Sequence, residues 1–134
     1  MPPFLGRDFV RSFTPRSFRV VQKRQLLVSG LARSGILPLE GQGGFFLMAN
    51  TSALHVPQTY LSQPTPACPA MTRDWAFCRW IAKEAGVIAI PASPFFSAPN
   101  KHLARDLVRF AFCKSDATIL EACERLELLA RSAA

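Results

Sequence analysis

Apolar residues recur at helical spacing in three segments of the chain, and these segments predict its helices. The first segment covers residues 21–34 and is followed by Gly35, which suits a C-terminal cap. The second begins after the N-capping residue Thr72 and ends at Gly86. The third begins after Ser115, and its apolar stripe consists of Ile119, Ala122, Cys123, Leu126 and Ala130.

Short apolar runs bounded by glycine or proline predict the strands. They cover residues 45–50 (FFLMAN), 87–90 (VIAI) and 107–113 (LVRFAFC). Both faces of the first run are apolar, so we predict a strand that is buried on both sides. The proline-rich stretch 51–70 is predicted to be a loop, as is a second stretch that runs through Pro94 and Pro99.

The predicted elements follow the order helix, strand, helix, strand, strand, helix. This order predicts an α+β fold, an α/β two-layer sandwich whose helices pack on one face of a small mixed or antiparallel sheet of about three strands. The 134 residues have room for one domain with its own core. No apolar run approaches the roughly 18–20 residues that a membrane-spanning helix needs, so no membrane partner is expected.

Positive charge is concentrated at the beginning of the chain. The net charge is +7, and the six basic residues before Gln25 stand against Asp8 alone. Residues 1–20 therefore have the composition of a mitochondrial or plastid transit peptide. The alternative is an irregular or non-native start, which would leave the protein cytoplasmic. In either case residues 21–134 form the domain. Nucleic acid is not expected to bind, because that would require basic residues gathered on one folded surface.

The four cysteines do not indicate a disulfide framework or a metal site. They form no C-x-x-C pair, and no secretory signal precedes them. His55 and His102 are not at ligand spacing from a cysteine pair. Three cysteines lie on apolar faces, where a buried thiol is an ordinary packing residue. We therefore predict structural cysteines and no metal.

Four segments, taken in order, match a known pattern. Residues 42–47 read QGGFFL, and residues 74–93 combine a helix with the run GVIAIPAS. Residues 95–97 read FFS, and residues 108–118 read VRFAFCKSDAT. In this order the segments resemble the C-terminal small domain of class I and II (fold type I) aminotransferases that use pyridoxal phosphate, especially the kynurenine aminotransferase group. The resemblance covers about residues 21–130.

The resemblance implies an enzyme that transfers an amino group between an amino acid and a 2-oxo acid. The donor would be of the kynurenine, glutamine, methionine or aromatic type, and complete enzymes of the family are homodimers. The cofactor is pyridoxal 5'-phosphate, which a lysine of an upstream large domain holds covalently. We expect that large domain to be absent from this chain. This chain has four lysines, and none of them stands in the family's S-x-x-K setting. They are Lys23, Lys83, Lys101 and Lys114. We therefore expect no catalytic or cofactor-binding residue here, and no transamination by the chain alone.

Arg109 is the principal candidate for substrate binding. An arginine within the apolar run LVRFAFC is costly to bury unless its guanidinium finds an anion. A carboxylate held by two parallel N–H bonds meets that need. The resemblance implies that this arginine binds the substrate's α-carboxylate. The alternative is an internal ion pair with Asp106 or Asp116.

Two pairs of residues are weaker candidates for the same site. The resemblance places Phe95 and Phe96 in an aromatic loop beside the substrate, although core packing explains them equally well. It places Gly43 and Gly44 where backbone approaches bound substrate, although a tight turn before the strand also explains them. Trp75 and Trp80 are expected in the core.

Three functions remain open from the sequence. The first is the substrate-binding part of an aminotransferase, separated from its cofactor-binding part. The second is a non-catalytic small-domain module that pairs with a full-length subunit. The third is a protein whose basic leader binds a nucleic acid or a membrane surface.

Overall fold

A computed structural model of the protein describes residues 15–134. Its helices are α1 (Pro15–Arg33), α2 (Gln58–Ser62), α3 (Arg73–Glu84) and α4 (Asp116–Ser132). Its strands are β1 (Leu37–Pro38), β2 (Phe46–Asn50), β3 (Ile90–Pro91) and β4 (Leu107–Ala111). Two 3₁₀ segments, Ser93–Phe95 and Ala98–Ala104, connect β3 to β4. In the described range no helix has the length and apolar character to cross a membrane.

Helix α1 begins six residues before the predicted start at residue 21. Its first residue in the described range is Pro15. Proline is accommodated there because the first helical N–H needs no partner and the fixed φ of proline suits a helix. Residues 15–20 of the predicted leader are therefore helical. The remaining part of that leader, residues 1–14, lies outside the described residues.

The strands form an antiparallel sheet in the order β1-β2-β4-β3. The α+β prediction is confirmed, and the sheet has four strands where about three were expected. The additional strand is β1, because Leu37 and Pro38 pair with Asn50 and Ala49. Strand β3 includes Pro91, which we expected to end the strand. A proline is tolerated there because β3 lies at the edge of the sheet.

One face of the sheet is covered by helices and the other is open. Side chains alternate between the faces of a strand, and on β4 the buried residues are Val108 and Phe110. On β2, Leu47 is 1% exposed whereas Phe46 is 48% exposed. The prediction that residues 45–50 are buried on both faces is therefore wrong. The run is apolar throughout, but helices cover only the Leu47 side.

The predicted loops contain more regular structure than expected. Residues 51–70 include α2 and an antiparallel bridge between Thr65 and Cys68.

Trp80 is buried, as predicted, whereas Trp75 is only half-buried.

The side chain of Arg73 connects the end of β2 to the start of β4 by hydrogen bonds and an ion pair. Its Nη2 donates to the carbonyl oxygens of Thr51, at 2.8 Å, and Leu54, at 2.6 Å. Its Nη1 donates to Thr51 Oγ1 at 2.8 Å and lies 3.0 Å from Asp106 Oδ1. The Thr51 N–H in turn donates to the Asp106 carbonyl at 2.8 Å. One guanidinium therefore fixes the residues that follow β2 and precede β4.

Helices α1 and α4 approach closely at Gly30. A Cβ added to Gly30 would overlap Cβ and Sγ of Cys123 on α4. Glycine is thus required here by packing, although α1 would gain helix propensity from alanine.

We predict that Gly30→Ala destabilises the protein. The propensity gain of about 1 kcal/mol is smaller than the overpacking cost of about 1–3 kcal/mol, and Cys123 Cβ cannot move without its backbone. The free energy of unfolding should fall by about 1–2 kcal/mol in urea denaturation followed by circular dichroism. Gly41→Ala is the control, because nothing lies within 4 Å of its added Cβ. Equal or greater stability of Gly30→Ala would contradict the packing argument.

We also predict that Arg73→Met lowers the free energy of unfolding by about 2–4 kcal/mol, because it leaves several acceptors and the Asp106 carboxylate unpaired. Arg125→Met is the matched control. Arg125 pairs with Glu121 on the exposed side of α4, where such a pair contributes only about 0.5 kcal/mol. Similar losses for the two variants would mean that the Arg73 network does not join the strands.

Candidate substrate-binding site

Arg109 lies in the middle of β4, on the open face of the sheet. Strand β4 has a neighbour on each side, and Arg109 is opposite Met48 on β2 and Ile90 on β3. Its position follows from the alternation along β4, because the buried neighbours Val108 and Phe110 both point to the helices. The sequence run LVRFAFC therefore places a cation among apolar residues, on the side of the sheet that none of the helices within residues 15–134 covers.

The guanidinium of Arg109 contacts two phenylalanine rings. Its Cζ is 4.1 Å from the centroid of the Phe46 ring and 4.9 Å from that of Phe95. Phe46 is two residues from Met48, and this diagonal position on a neighbouring strand is within reach of long side chains. Each cation–π contact contributes about 0.5–2 kcal/mol, depending on how far water is excluded.

No carboxylate of the described residues pairs with Arg109. Asp106 is bound by Arg73 at 3.0 Å, and Asp116 is bound by Lys23 at 2.8 Å. The internal ion pair that we considered as the alternative is therefore not formed within residues 15–134. The Nε of Arg109 is buried and has no hydrogen-bond partner in this part of the chain. An unmade hydrogen bond of this kind costs about 1–3 kcal/mol, which the two ring contacts partly offset.

A buried carboxylate holds the turn that carries Phe95. Asp74 is 0% exposed, and its Oδ2 accepts a hydrogen bond from the Ser93 N–H at 2.8 Å. Its Oδ1 accepts one from the Thr72 hydroxyl. This link was not predicted from the sequence. The spacing between Asp74 and Ser93 gives no local signal, since the contact joins two different elements.

The other predicted site residues have different surroundings. Phe95 is 63% exposed, so core packing does not explain it. Phe96 is half-buried, and its ring makes no cation–π contact with Arg109 in the described structure. Gly43 and Gly44 lie exposed in the turn before β2, and a Cβ on either would meet nothing within 4 Å. Gly44 has a φ of +78°, which supports the interpretation as a tight turn.

Phe46 is the contact residue that sequence reasoning did not single out. It was predicted only as part of a strand buried on both faces. The available signal was the alternation of FFLMAN, which places Phe46 and Met48 on one face and Leu47 on the other. What the sequence does not reveal is the register that brings Phe46 near Arg109.

Three of the four cysteines are buried. Cys68, Cys78 and Cys123 are buried, and Cys113 is exposed. Burial raises the pKa of Cys78 to about 12, and the nearby charge of Asp74 adds to this effect. Burial also raises the pKa of Cys123. Among residues 15–134, no group of three or more histidine, cysteine or acidic residues is arranged to hold a metal ion.

The described residues do not form a site for pyridoxal 5'-phosphate. That cofactor needs a lysine amine, a carboxylate for its ring nitrogen and donors for its phosphate. The amine of Lys23 is bonded to Asp116 and to the Lys114 carbonyl. Lys101 borders a cavity of about 360 Å³ beside Asp74, but both Asp74 oxygens are already bonded within the protein.

Comparison with known proteins identifies relatives along most of the chain. The family model for aminotransferase class I and II matches residues 7–126. The kynurenine–oxoglutarate transaminase of Dictyostelium discoideum is 32% identical over 105 residues, which are 78% of this chain and 24% of that protein. The methionine aminotransferase of Escherichia coli is 35% identical over 108 residues, or 81% of this chain and 23% of that protein.

The fold agrees with that of a solved relative. The structure of Bna3p from Saccharomyces cerevisiae superposes with a TM-score of 0.79 and 27% sequence identity, over 92% of this chain and 29% of that one. The chain spans about a quarter of the length of the curated relatives it matches. Pyridoxal phosphate is the cofactor of this family in general. Because the family model covers most of the chain, the chain belongs to the class I and II aminotransferases.

Proposed function

We propose that this chain supplies the substrate-carboxylate-binding part of a pyridoxal-phosphate-dependent aminotransferase, with Arg109 as the anchor. The observation that supports the proposal is a guanidinium on the open sheet face whose candidate internal carboxylates are both bound to other residues. Residues 21–134 would correspond to the family's small domain. The amino donor would be of the kynurenine, glutamine, methionine or aromatic type, and a 2-oxo acid would be the acceptor.

The arrangement of Arg109 suits recognition of a carboxylate. A guanidinium donates two parallel N–H bonds to the two oxygens of a carboxylate, and this fixes orientation as well as affinity. Hydrogen bonds to charged groups contribute about 1.5–3 kcal/mol each. The apolar neighbours Met48, Ile90 and Phe46 exclude water from one side of the pair, which strengthens its electrostatic attraction.

The remaining predicted residues would surround the rest of the substrate. Phe95 extends from a turn that Asp74 holds in place, so its exposed ring offers an apolar wall beside the carboxylate. The turn at Gly43 and Gly44 leaves room for substrate to approach the backbone. Phe96 would act as a second, more distant aromatic residue of the same loop.

The cofactor and the catalytic lysine would be supplied by the part of the relatives that this chain does not span. In the complete enzyme, we propose a homodimer in which Arg109 orients the amino acid or 2-oxo acid toward that cofactor. A second candidate is a non-catalytic module that pairs with a full-length subunit. The exposed apolar side chains of Leu37, Ile90 and Phe95 favour it, because a partner would cover them. This candidate predicts co-purification with a full-length aminotransferase.

We predict that Arg109→Lys weakens the binding of 2-oxoglutarate by the 134-residue chain at least tenfold. Lysine keeps the charge but loses the planar, two-bond geometry. Binding is measured by NMR titration. Arg79→Lys is the matched control, since Arg79 also lies over an aromatic ring, that of Tyr60, but away from the open face. Equal affinities for wild type and Arg109→Lys would refute the anchor.

We predict that the chain alone forms no stoichiometric lysine adduct with pyridoxal phosphate and does not transaminate. The carboxylates near the lysines are already bonded, Asp116 to Lys23 itself and Asp74 to Thr72 and Ser93, so neither is free for the cofactor's ring nitrogen. After borohydride reduction, peptide mass spectrometry should find only scattered, substoichiometric modification. One lysine modified to completion at equimolar cofactor would show that the chain does contain a cofactor site.

A further inference from the structure

We infer that Phe46 is a positioning residue for Arg109: its ring holds the guanidinium plane so that the two terminal nitrogens face the ligand. This inference rests on the proposed carboxylate-binding function. It adds a residue that the resemblance did not assign to the site.

Phe46 is better placed than Phe95 to fix the guanidinium. The Phe46 ring is nearer, at 4.1 Å against 4.9 Å. Phe46 is also attached to the sheet, where its backbone pairs with Ala111 two residues beyond Arg109. Phe95 extends from a 3₁₀ turn. The strand ladder therefore holds the Phe46 ring at a set position relative to the arginine.

The state of Nε indicates which atoms of Arg109 the ligand contacts. This nitrogen is buried and has no hydrogen-bond partner among the described residues. A ligand cannot reach Nε without moving the side chain, so the terminal Nη1 and Nη2 groups remain for a carboxylate. An unstacked arginine would sample many rotamers and lose more freedom on binding. Contact with the Phe46 ring thus holds Nη1 and Nη2 in the orientation that the carboxylate needs.

The adjacent residue provides a close control. Phe45 is 53% exposed and Phe46 is 48% exposed, so the two rings meet solvent to nearly the same degree. Of these two residues, only Phe46 makes a cation–π contact with Arg109 in the described structure. Substituting either one removes a similar area of apolar surface, and only one substitution removes the contact.

The test compares Phe46→Leu, Phe46→Tyr and Phe45→Leu in the 134-residue chain. The readouts are the thermal midpoint, the affinity for 2-oxoglutarate, and the NMR resonance of the Arg109 Nε–H, identified by its loss in Arg109→Lys. In Phe46→Leu we expect the Nε–H resonance to lose the part of its ring-current shift that Phe46 causes, leaving the part from the more distant Phe95 ring, and the affinity to fall about tenfold. Phe46→Tyr keeps an aromatic face and should therefore keep both the Nε–H shift and the affinity of the wild type. Phe45→Leu should change neither.

The inference is overturned if Phe46→Leu leaves the resonance and affinity unchanged, or if Phe45→Leu has the same effect. Should Phe46→Leu fail to fold, Phe46→Met provides the same comparison with a longer side chain. Failure of the proposed function is distinguishable. In that case Arg109→Lys would not alter 2-oxoglutarate affinity, whereas the Nε–H resonance of wild type would still show the stacked ring.

Discussion

The open face of the sheet is the constraint on which the site depends. Helices α1, α3 and α4 bury one side of the sheet, and the alternation of side chains along β4 then leaves Arg109 on the other side, between Val108 and Phe110 of the core face. A charge on the helix side would lose its hydration with no anion to replace it, at a cost of several kcal/mol. On the open side the same residue keeps its terminal nitrogens available. The two-layer architecture thus explains why an arginine is tolerated in the middle of a central strand.

Several contacts outside the site keep this arrangement in place. Asp106, three residues before Arg109, is the acidic residue nearest to it in the sequence. Arg73 binds Asp106, so this carboxylate is not available to pair with Arg109. Lys23 does the same to Asp116 after β4. Asp74, on the helix side, holds the turn of Phe95 through Ser93. Both carboxylates that were candidates for an ion pair with Arg109 are thus bound elsewhere, and its guanidinium has no ion-pair partner among residues 15–134.

Local signals in the sequence were sufficient for most of the fold. The cap at Ser115 is observed, because its side chain accepts a hydrogen bond from the Thr118 N–H. Helix α3 begins immediately after Thr72 as predicted, but the Thr72 hydroxyl bonds the Asp74 carboxylate and caps no backbone N–H. The site was predicted only in part. Arg109 was found because an arginine in an apolar run is unusual by itself. Phe46 and Asp74 were not, because their roles come from pairing register and from contacts between elements distant in sequence, which hydrophobic periodicity does not encode.

The same open face accounts for both candidate functions of the chain. Exposed, it places Arg109 in a partly hydrated setting where a single carboxylate contact is screened by water. Covered by another domain or subunit, it would bury Leu37, Ile90 and Phe95 and lower the local dielectric around the guanidinium. Binding of substrate and binding of the covering surface would then strengthen each other, because each excludes water from the surroundings of the Arg109 guanidinium. In the two proposed functions, docking with a partner and anchoring a carboxylate would therefore use one set of residues.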